Sequence, residues 1–543
     1  MESFGADLKF MSPKPFGDDQ LEAIRSISTE RRYGPGEIVT EVGQPLDRFV
    51  LVVEGEIEVV DPITDNRFLS ATLRAGQFMG ELNFLNAGRS SLASRATCET
   101  VTLEAPRGAM LELMSEVPEI SDHVLTVFAA RRRLQFEEGR SALTLVGADR
   151  DRNIEAIASF LSRNRIPFRS IEVDDQDEDV GPILEAAEGR PGVVIGRDRK
   201  VSDPTPRSIA RLLGLDMANA EPEEFDLLIV GGGPAGIAAA VYAGAEGLKA
   251  LVIEDSAIGG QAGTSSRIEN YLGFPTGISG ADLVFRGQIQ AMKFGTRFAM
   301  PRRVVRLEKN EAGFCATLDD GSNLCARAVL VATGVQYQRL PIPGLRELEG
   351  AGVYYAATEM EAKFCRETEA VVIGGGNSAG QAAMYLSRAA RHVHLLVRGK
   401  ELASSMSEYL RRRLDADRKI TIHYETQLES LEGTDRLTAV HVRGPDGVIA
   451  IPATALFIMI GAAPNTEWLS GLVKLDGKGF VLTGSAVNSA SAYETSHCGI
   501  FAVGDVRASS VKRVASSVGE GSVVVGAIWS RLNLPEPEAV ATS

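Results

Sequence analysis

The chain has 543 residues, beyond the roughly 250–300 at which one hydrophobic core stops growing, so several domains are expected. Its 44% hydrophobic and 24% charged residues exclude wholesale disorder, and a net charge of −15 argues against nucleic acid or an anionic membrane surface as the main partner. Five cysteines with no C-x-x-C among them exclude a disulfide framework and fit a reducing cytoplasm. The opening residues Met1–Asp7 carry no basic stretch followed by an apolar one, which predicts no secretory leader. The longest apolar runs, Ala455–Ala463 and Val523–Trp529, fall short of the ~18 residues a membrane helix needs.

Residues 1–140 open with short β-like runs punctuated by Gly34, Gly36, Gly43, Gly55, Gly76 and Gly80. Val50–Glu54 and Glu56–Val60 bracket Gly55 as a hairpin would. After Pro118 a helical period puts Val124, Leu125, Val127, Phe128 and Leu134 on one stripe that ends at Arg131–Arg133, so a β-roll closed by a helix is expected. Residues 141–216 alternate differently. Leu143–Val146, Ser170–Val173 and Gly192–Ile195 read as strands, and Asn153–Arg163 and Val180–Ala187 as the helices between them, a compact α/β unit. Asn219–Glu224 reads as a linker. Residues 225–543 hold two glycine-rich turns, at 231 and 374, each after a short apolar strand and before a helix, which suggests two nucleotide-binding units.

The first turn, Gly231-Gly-Gly-Pro-Ala-Gly, meets G-x-G-x-x-G at Gly231, Gly233 and Gly236, with Pro234 and Ala235 inside it. Asp226–Val230 precedes it as a strand, Ala235–Gly247 follows as a helix, and the next strand, Ala250–Ile253, ends on Glu254. Such glycines let a pyrophosphate approach the backbone at a helix N-terminus, and the acid suits a ribose hydroxyl. The second turn follows Ala370–Ile373 and places Gly374, Gly376, Asn377, Ser378 and Ala379 in the corresponding positions. Its next strand, His392–Val397, is followed by Arg398 instead of an acid, which suits a 2′-phosphate. Two chemically distinct dinucleotides are expected, the second NADPH, with NADH left open.

Ala332-Thr-Gly334 and Gly504-Asp505, taken with the first fingerprint, resemble the flavoprotein disulfide reductase superfamily. Gly259–Thr264 (with Gly260 and Gln261), Ile268–Pro275 (with Asn270), Arg513-Val514-Ala515 and Ile460–Thr466 narrow the resemblance to low-molecular-weight thioredoxin reductases. That resemblance implies FAD held by Asp505, Thr333, Gly334 and Arg513, an FAD domain at 217–338 and 462–543 split around an NAD(P)H domain at 339–461, and a homodimer. The family's Cys-Ala-Thr-Cys pair is absent: Ala357 and Met360 stand at its positions, and Cys365 nearby reads as a buried small hydrophobe. Residues 1–140 resemble the cyclic-nucleotide-binding β-roll, with Glu81 in Phe78–Asn83 at the ribose position and Arg89, one position out of register, as the nearest phosphate ligand. Residues 141–216 resemble a thioredoxin or glutaredoxin fold, with Pro191–Ile195 similar to its cis-proline strand and no cysteine in Ala148–Asn153.

The expectation is therefore a multidomain protein: a β-roll plus helix, a thioredoxin-like α/β unit, and two Rossmann-like domains. Functionally it reads as an FAD-dependent NAD(P)H oxidoreductase that passes electrons to an unidentified acceptor, such as a small redox protein, without a dithiol of its own. A flavoprotein that senses redox state or a nucleotide with little turnover, and a ferredoxin- or flavodoxin-type NADP reductase, are the alternatives. No metal is expected.

Overall fold

A computed structural model describes residues 16–533 apart from 61–66, 68–71, 91, 139–140, 176–179, 197–198, 218–223, 266–267, 269, 312, 338–339, 346, 349–350, 356, 358–361, 363–364, 403–405, 461 and 470. Most of the linker Asn219–Glu224 and the position of Met360 lie outside the described residues. Among the described residues no helix is long and apolar enough to cross a membrane.

The N-terminal strands sort into two sheets. Thr29–Tyr33 (β1), Arg48–Glu54 (β3) and Thr100–Pro106 (β7) form one, in the order β1-β7-β3; Ile38–Thr40 (β2), Glu56–Val60 (β4), Leu73–Arg74 (β5) and Ala93–Ala96 (β6) form the other. The expected hairpin at Gly55 is therefore absent: β3 pairs with β7 and β4 with β6. Gly55 is a corner at φ 83°, pressed so close to Glu99 and Thr100 that a Cβ would lie 2.4 Å from the Glu99 carbonyl oxygen. Asp18–Ser26 (α1), Arg107–Glu116 (α2) and Pro118–Glu138 (α3) close the roll. Val124 and Phe128 of α3 are fully buried, whereas Leu134, expected on the same stripe, is 45% exposed because the last turns of α3 run past the roll's core.

Leu143–Val146 (β8), Arg169–Ile171 (β9), Gly192–Ile195 (β10) and Arg199–Lys200 (β11) form a mixed sheet, ordered β11-β10-β8-β9, with β8 parallel to β9 and antiparallel to β10. Arg152–Arg163 (α4) starts where the Asp151 carboxylate accepts from the N–H groups of Asn153 and Ile154, and buries Ile154, Ile157, Phe160 and Leu161 at helical spacing. Gly181–Ala186 (α5) and Pro206–Leu212 (α6) complete the unit. The resemblance to a cis-proline strand fails at the bond itself. The one cis peptide among the described residues is Met300–Pro301, so Pro191 keeps the trans form that X–Pro bonds favour.

Phe225–Val230 (β12), Ala250–Ile253 (β13), Arg297–Ala299 (β14), Val304–Asn310 (β15), Gly313–Leu318 (β16) and Asn323–Val331 (β17) form the largest sheet, ordered β14-β13-β12-β17-β16-β15. Ile500–Ala502 (β28), from far along the chain, joins it beside β17. Pro234–Ala245 (α7) and Val514–Asn533 (α10) pack on this sheet and on each other, and Gly280–Lys293 (α8) packs on α7. Between β17 and β28 the chain builds a five-stranded parallel sheet from Val353–Tyr354 (β19), Glu369–Ile373 (β20), His392–Leu396 (β21), Ile420–His423 (β22) and Ala455–Ile458 (β26), with Asn377–Leu386 (α9) after β20. Gln427–Glu432 (β23), Ala439–Gly444 (β24) and Gly447–Ile451 (β25) form a separate antiparallel meander. Two crossings, Val335–Tyr337 (β18) and Ala462–Pro464 (β27), pair with each other.

Candidate functional site

The first glycine turn joins β12 to α7. Gly231 lies at φ 111°, where a Cβ would meet the Ala332 carbonyl oxygen at 2.3 Å, and a Cβ on Gly236 would meet the Gly231 oxygen at 1.9 Å. A Cβ on Gly233 would meet nothing within 4 Å. The outer glycines are thus required by close packing, and the middle one faces open space. Gly233 also N-caps α7 with no side-chain bond, leaving the first N–H groups of Pro234–Ala245 to a ligand.

Glu254 follows β13 and is buried. One of its carboxylate oxygens accepts from the Gly232 N–H at 2.8 Å, the other from the Ser256 and Ala257 N–H groups at 3.0 and 3.3 Å. Burial pushes its carboxyl up to about 8, with the Asp255 charge adding and the backbone N–H groups opposing. Asp505 sits in a single helical turn after β28, beside Gly504 at φ 74°; a Cβ on Gly504 would meet that of Ala235 at 3.0 Å. Oδ1 of Asp505 is buried with no hydrogen-bond partner, and burial raises its carboxyl while Lys512 opposes. An unpaired buried carboxylate oxygen beside an open glycine turn fits a polar ligand atom better than a structural role.

The remaining residues of the first site gather around these two. A Cβ on Gly260 would meet the Gly233 Cα at 3.2 Å, and Gln261 donates from Nε2 to the Val335 carbonyl at 2.6 Å. Ala332 is buried, Thr333 donates to the Asn465 carbonyl at 2.9 Å, and the Asn465 N–H donates to the Gly334 oxygen, so both interdomain crossings close at one point. Arg513, Val514 and Ala515 open α10, whose Gly521 packs so tightly on α7 that a Cβ would meet the Ala235 oxygen at 2.2 Å. Asn270 stands exposed in the loop before α8.

At the second turn Gly374 (φ 143°) lies where a Cβ would meet the Met459 oxygen at 2.3 Å, and Gly376 N-caps α9 without a side-chain bond. Asn377 is turned aside: its Oδ1 accepts from the N–H and hydroxyl of Ser407. Ala379 is buried and Ser378 exposed. Arg398 is exposed two residues beyond β21, which runs parallel to β20 with Leu396 opposite Ile373. Ala357 packs against the core of this sheet, where Cys365 is fully buried.

The roll's ligand positions are engaged internally. Glu81 pairs with Arg132 at 2.7 Å, both side chains about nine-tenths buried, and Asn83 bridges them, accepting from Arg132 and donating to Glu81. Arg89 donates from Nη1 to the Gly43 oxygen at 2.7 Å and from its backbone N–H to the Leu213 oxygen at 3.1 Å. Arg131 spans to the Phe78 and Gly80 carbonyls, its own basicity lowered by burial to about 10. Asn86, buried in the same segment, exchanges two hydrogen bonds of 2.9 Å with the backbone of Phe298 in β14. Sequence reading left the inward roles of Arg131, Arg132 and Asn86 undetected, because their partners lie 49 to 212 residues away.

Reading cysteine spacing alone also missed a pair. Cys315 of β16 and Cys325 of β17 are cross-strand partners joined by a disulfide, with Cα atoms 4.1 Å apart. The signal was present: Asp319-Asp-Gly-Ser is a turn, and folding the strands about Asp320 brings 315 opposite 325.

The family model for pyridine nucleotide-disulphide oxidoreductases matches residues 225–521, more than half of the chain, and that for the cyclic nucleotide-binding domain matches residues 30–117. Thioredoxin reductase of Mycolicibacterium smegmatis is 35% identical over 305 residues, 54% of this chain and 93% of that protein. Thioredoxin reductase of Treponema pallidum is 33% identical over 312 residues, 57% of this chain and 98% of that protein. Among solved structures, the thioredoxin reductase of Lactococcus lactis superposes with a TM-score of 0.53 at 28% identity, covering 57% of this chain and 99% of that one. That of T. acidophilum gives 0.52 at 27% identity, covering 56% and 98%. The chain belongs to the pyridine nucleotide-disulphide oxidoreductase family and carries a cyclic nucleotide-binding domain at its N-terminus.

Proposed function

We propose that the chain is an FAD-dependent NAD(P)H oxidoreductase of the thioredoxin-reductase type whose electrons leave for an acceptor outside the flavin site. One observation carries the reading: the partnerless, buried Oδ1 of Asp505 beside the open face of Gly233 at the uncapped start of α7. These groups fit FAD. The N–H groups of Ala235 and Gly236 would receive its pyrophosphate, Asp505 a hydroxyl of its ribityl chain, and Glu254, fixed by three backbone N–H groups, the adenosine ribose. When bound, FAD supplies the two-electron chemistry. The protein's share is to position, and the paired crossings β18 and β27 set the second nucleotide turn relative to the first.

Gly374, Gly376 and the start of α9 would hold the pyridine nucleotide, and exposed Arg398 favours the 2′-phosphate of NADPH over NADH. We assign the FAD domain to 217–338 and 462–543, the NAD(P)H domain to 339–461, a thioredoxin-like unit to 141–216 and the roll to 1–140, and expect a homodimer. The roll is read as a structural module, since Glu81 and Arg89 both have protein partners. Purified protein should be yellow, and NADPH should bleach its flavin absorbance. A folded, colourless chain that takes up no FAD defeats the proposal.

A further inference from the structure

We propose that Cys315–Cys325 is a reversible thiol–disulfide exchange site for dithiol partners arriving from solution, a second redox site that does not rest on the flavin reading. The two residues face each other in the β16–β17 ladder, with Phe314↔Ala326, Ala316↔Leu324 and Thr317↔Asn323 registered around them. That ladder holds the two Cβ atoms together whether or not the sulfurs are bonded, so oxidised and reduced forms share one backbone. The bond is accessible: Cys325 is exposed and Cys315 half-buried, on the face carrying Arg306, Glu308 and Arg327. Asn310 donates from Nδ2 to the Cys315 sulfur at 3.0 Å, a contact that favours the thiolate on that side. Val331, at the other end of β17 next to the crossing at Ala332–Gly334, is six residues from Cys325, roughly 20 Å along the strand. The reductant must therefore come from outside the chain.

A thiolate of an external dithiol attacks the exposed Cys325 sulfur, forming a mixed disulfide and breaking the Cys315–Cys325 bond. The electron pair leaves on Cys315, beside Asn310, and that thiolate takes a proton. The partner's second thiol, deprotonated, attacks the mixed disulfide and releases Cys325. Two electrons and two protons pass to the chain, and the partner ends as a disulfide; the reverse sequence reduces an external disulfide. Exposed disulfides are more readily reduced and exchanged than buried structural ones.

The test uses the full chain equilibrated with stepped ratios of reduced to oxidised dithiothreitol, then with glutathione, followed by alkylation and peptide mass mapping. The free exposed Cys98 and Cys498 serve as internal standards for alkylation. The expected result is that the 315/325 peptides convert reversibly in one two-electron step while the circular dichroism spectrum stays unchanged. A bond that survives excess reduced dithiothreitol in the folded protein overturns the proposal, as does a pair that stays fully alkylated under excess oxidised glutathione. Trapping adds direction: when the wild-type protein is acid-quenched early in its reaction with reduced glutathione, the mixed disulfide should map to Cys325 at least about tenfold more often than to Cys315. Equal trapping at the two sulfurs, or an excess at Cys315, would overturn the assignment of Cys325 as the attacked sulfur.

Discussion

The turn at 231–236 and the segment at 81–89 of the roll are both built to meet a nucleotide by family pattern, and they differ in what they leave unused. At the first, a carboxylate oxygen of Asp505 is buried without a partner and Gly233 faces empty space. At the second, Glu81 is bound to Arg132, whose own Nε is buried without a partner, Arg89 to Gly43 and Leu213, and Asn86 to Phe298. A buried polar group without a partner costs about 1–3 kcal/mol, so it persists where a ligand meets it; a group already paired offers a ligand only an exchange. Of the two segments, the one whose acid keeps an unpaired carboxylate oxygen is the better ligand-site candidate, whereas Glu81 and the Arg89 side chain are already held by the protein.

The largest test breaks the Glu81–Arg132 pair inside the roll. Glu81→Ala leaves the Arg132 charge buried and should destabilise the roll by about 3–5 kcal/mol, read by chemical denaturation. A change within 0.5 kcal/mol would mean the pair carries no structural load. Next come the two glycines of the open site. Gly236→Ala drives a Cβ into the Gly231 oxygen and should cost about 2–3 kcal/mol of stability with or without flavin. Gly233→Val should leave the apoprotein's melting temperature near wild type yet abolish FAD binding, because its side chain enters only the ligand's space. Equal effects from the two substitutions would erase the distinction drawn between them.

Asp505→Asn and Arg398→Ala probe single contacts. The first should weaken FAD by about 1.5–3 kcal/mol, measured by fluorescence titration, without destabilising the apoprotein, since it removes an unpaired charge. The second should raise the KM for NADPH by a similar free energy and leave NADH unchanged; parallel losses for both nucleotides would remove the 2′-phosphate role. Cyclic AMP or GMP should shift neither the melting curve nor calorimetric heats, and micromolar binding would reopen the roll as a sensor.

The smallest effect concerns pH. His394 and His423 lie 3.0 Å apart on β21 and β22, and burial lowers the basicity of both. In the unfolded chain each binds its proton near pH 6.5. Acidification through and below that value therefore protonates the unfolded state first, so the stability these neutral imidazoles contribute is complete above about 6.5 and lost as pH falls below it. A melting temperature that rises on going from pH 7 to 5.5 would contradict this, and His394→Gln should flatten the dependence.

Much of the fold was legible along the chain. Ala250–Ile253 and Gly192–Ile195 are strands to the residue, and both glycine turns open helices, because short apolar runs rich in Val and Ile and glycines at positive φ act within a few residues. The Gly55 corner was not legible. Val50–Glu54 and Glu56–Val60 look like hairpin partners locally, and only the competing strands β7 and β6 decide that each pairs elsewhere.

The sequence by itself determined the family, the two glycine turns with Glu254 and Arg398 following them, and the residues Ala357 and Met360 where the resemblance expects cysteines. These depend on residue type at fixed spacing, and backbone geometry converts that spacing directly into position. Tertiary structure alone decided that Asp505 stays without a partner beside Ala235, that Arg132 takes Glu81, and that Asn86 grips β14. Whether a polar group or a thiol is free, paired or bonded depends on what the folded chain brings within about 3 Å of it. That is set by the packing of elements distant in sequence, which no local pattern encodes.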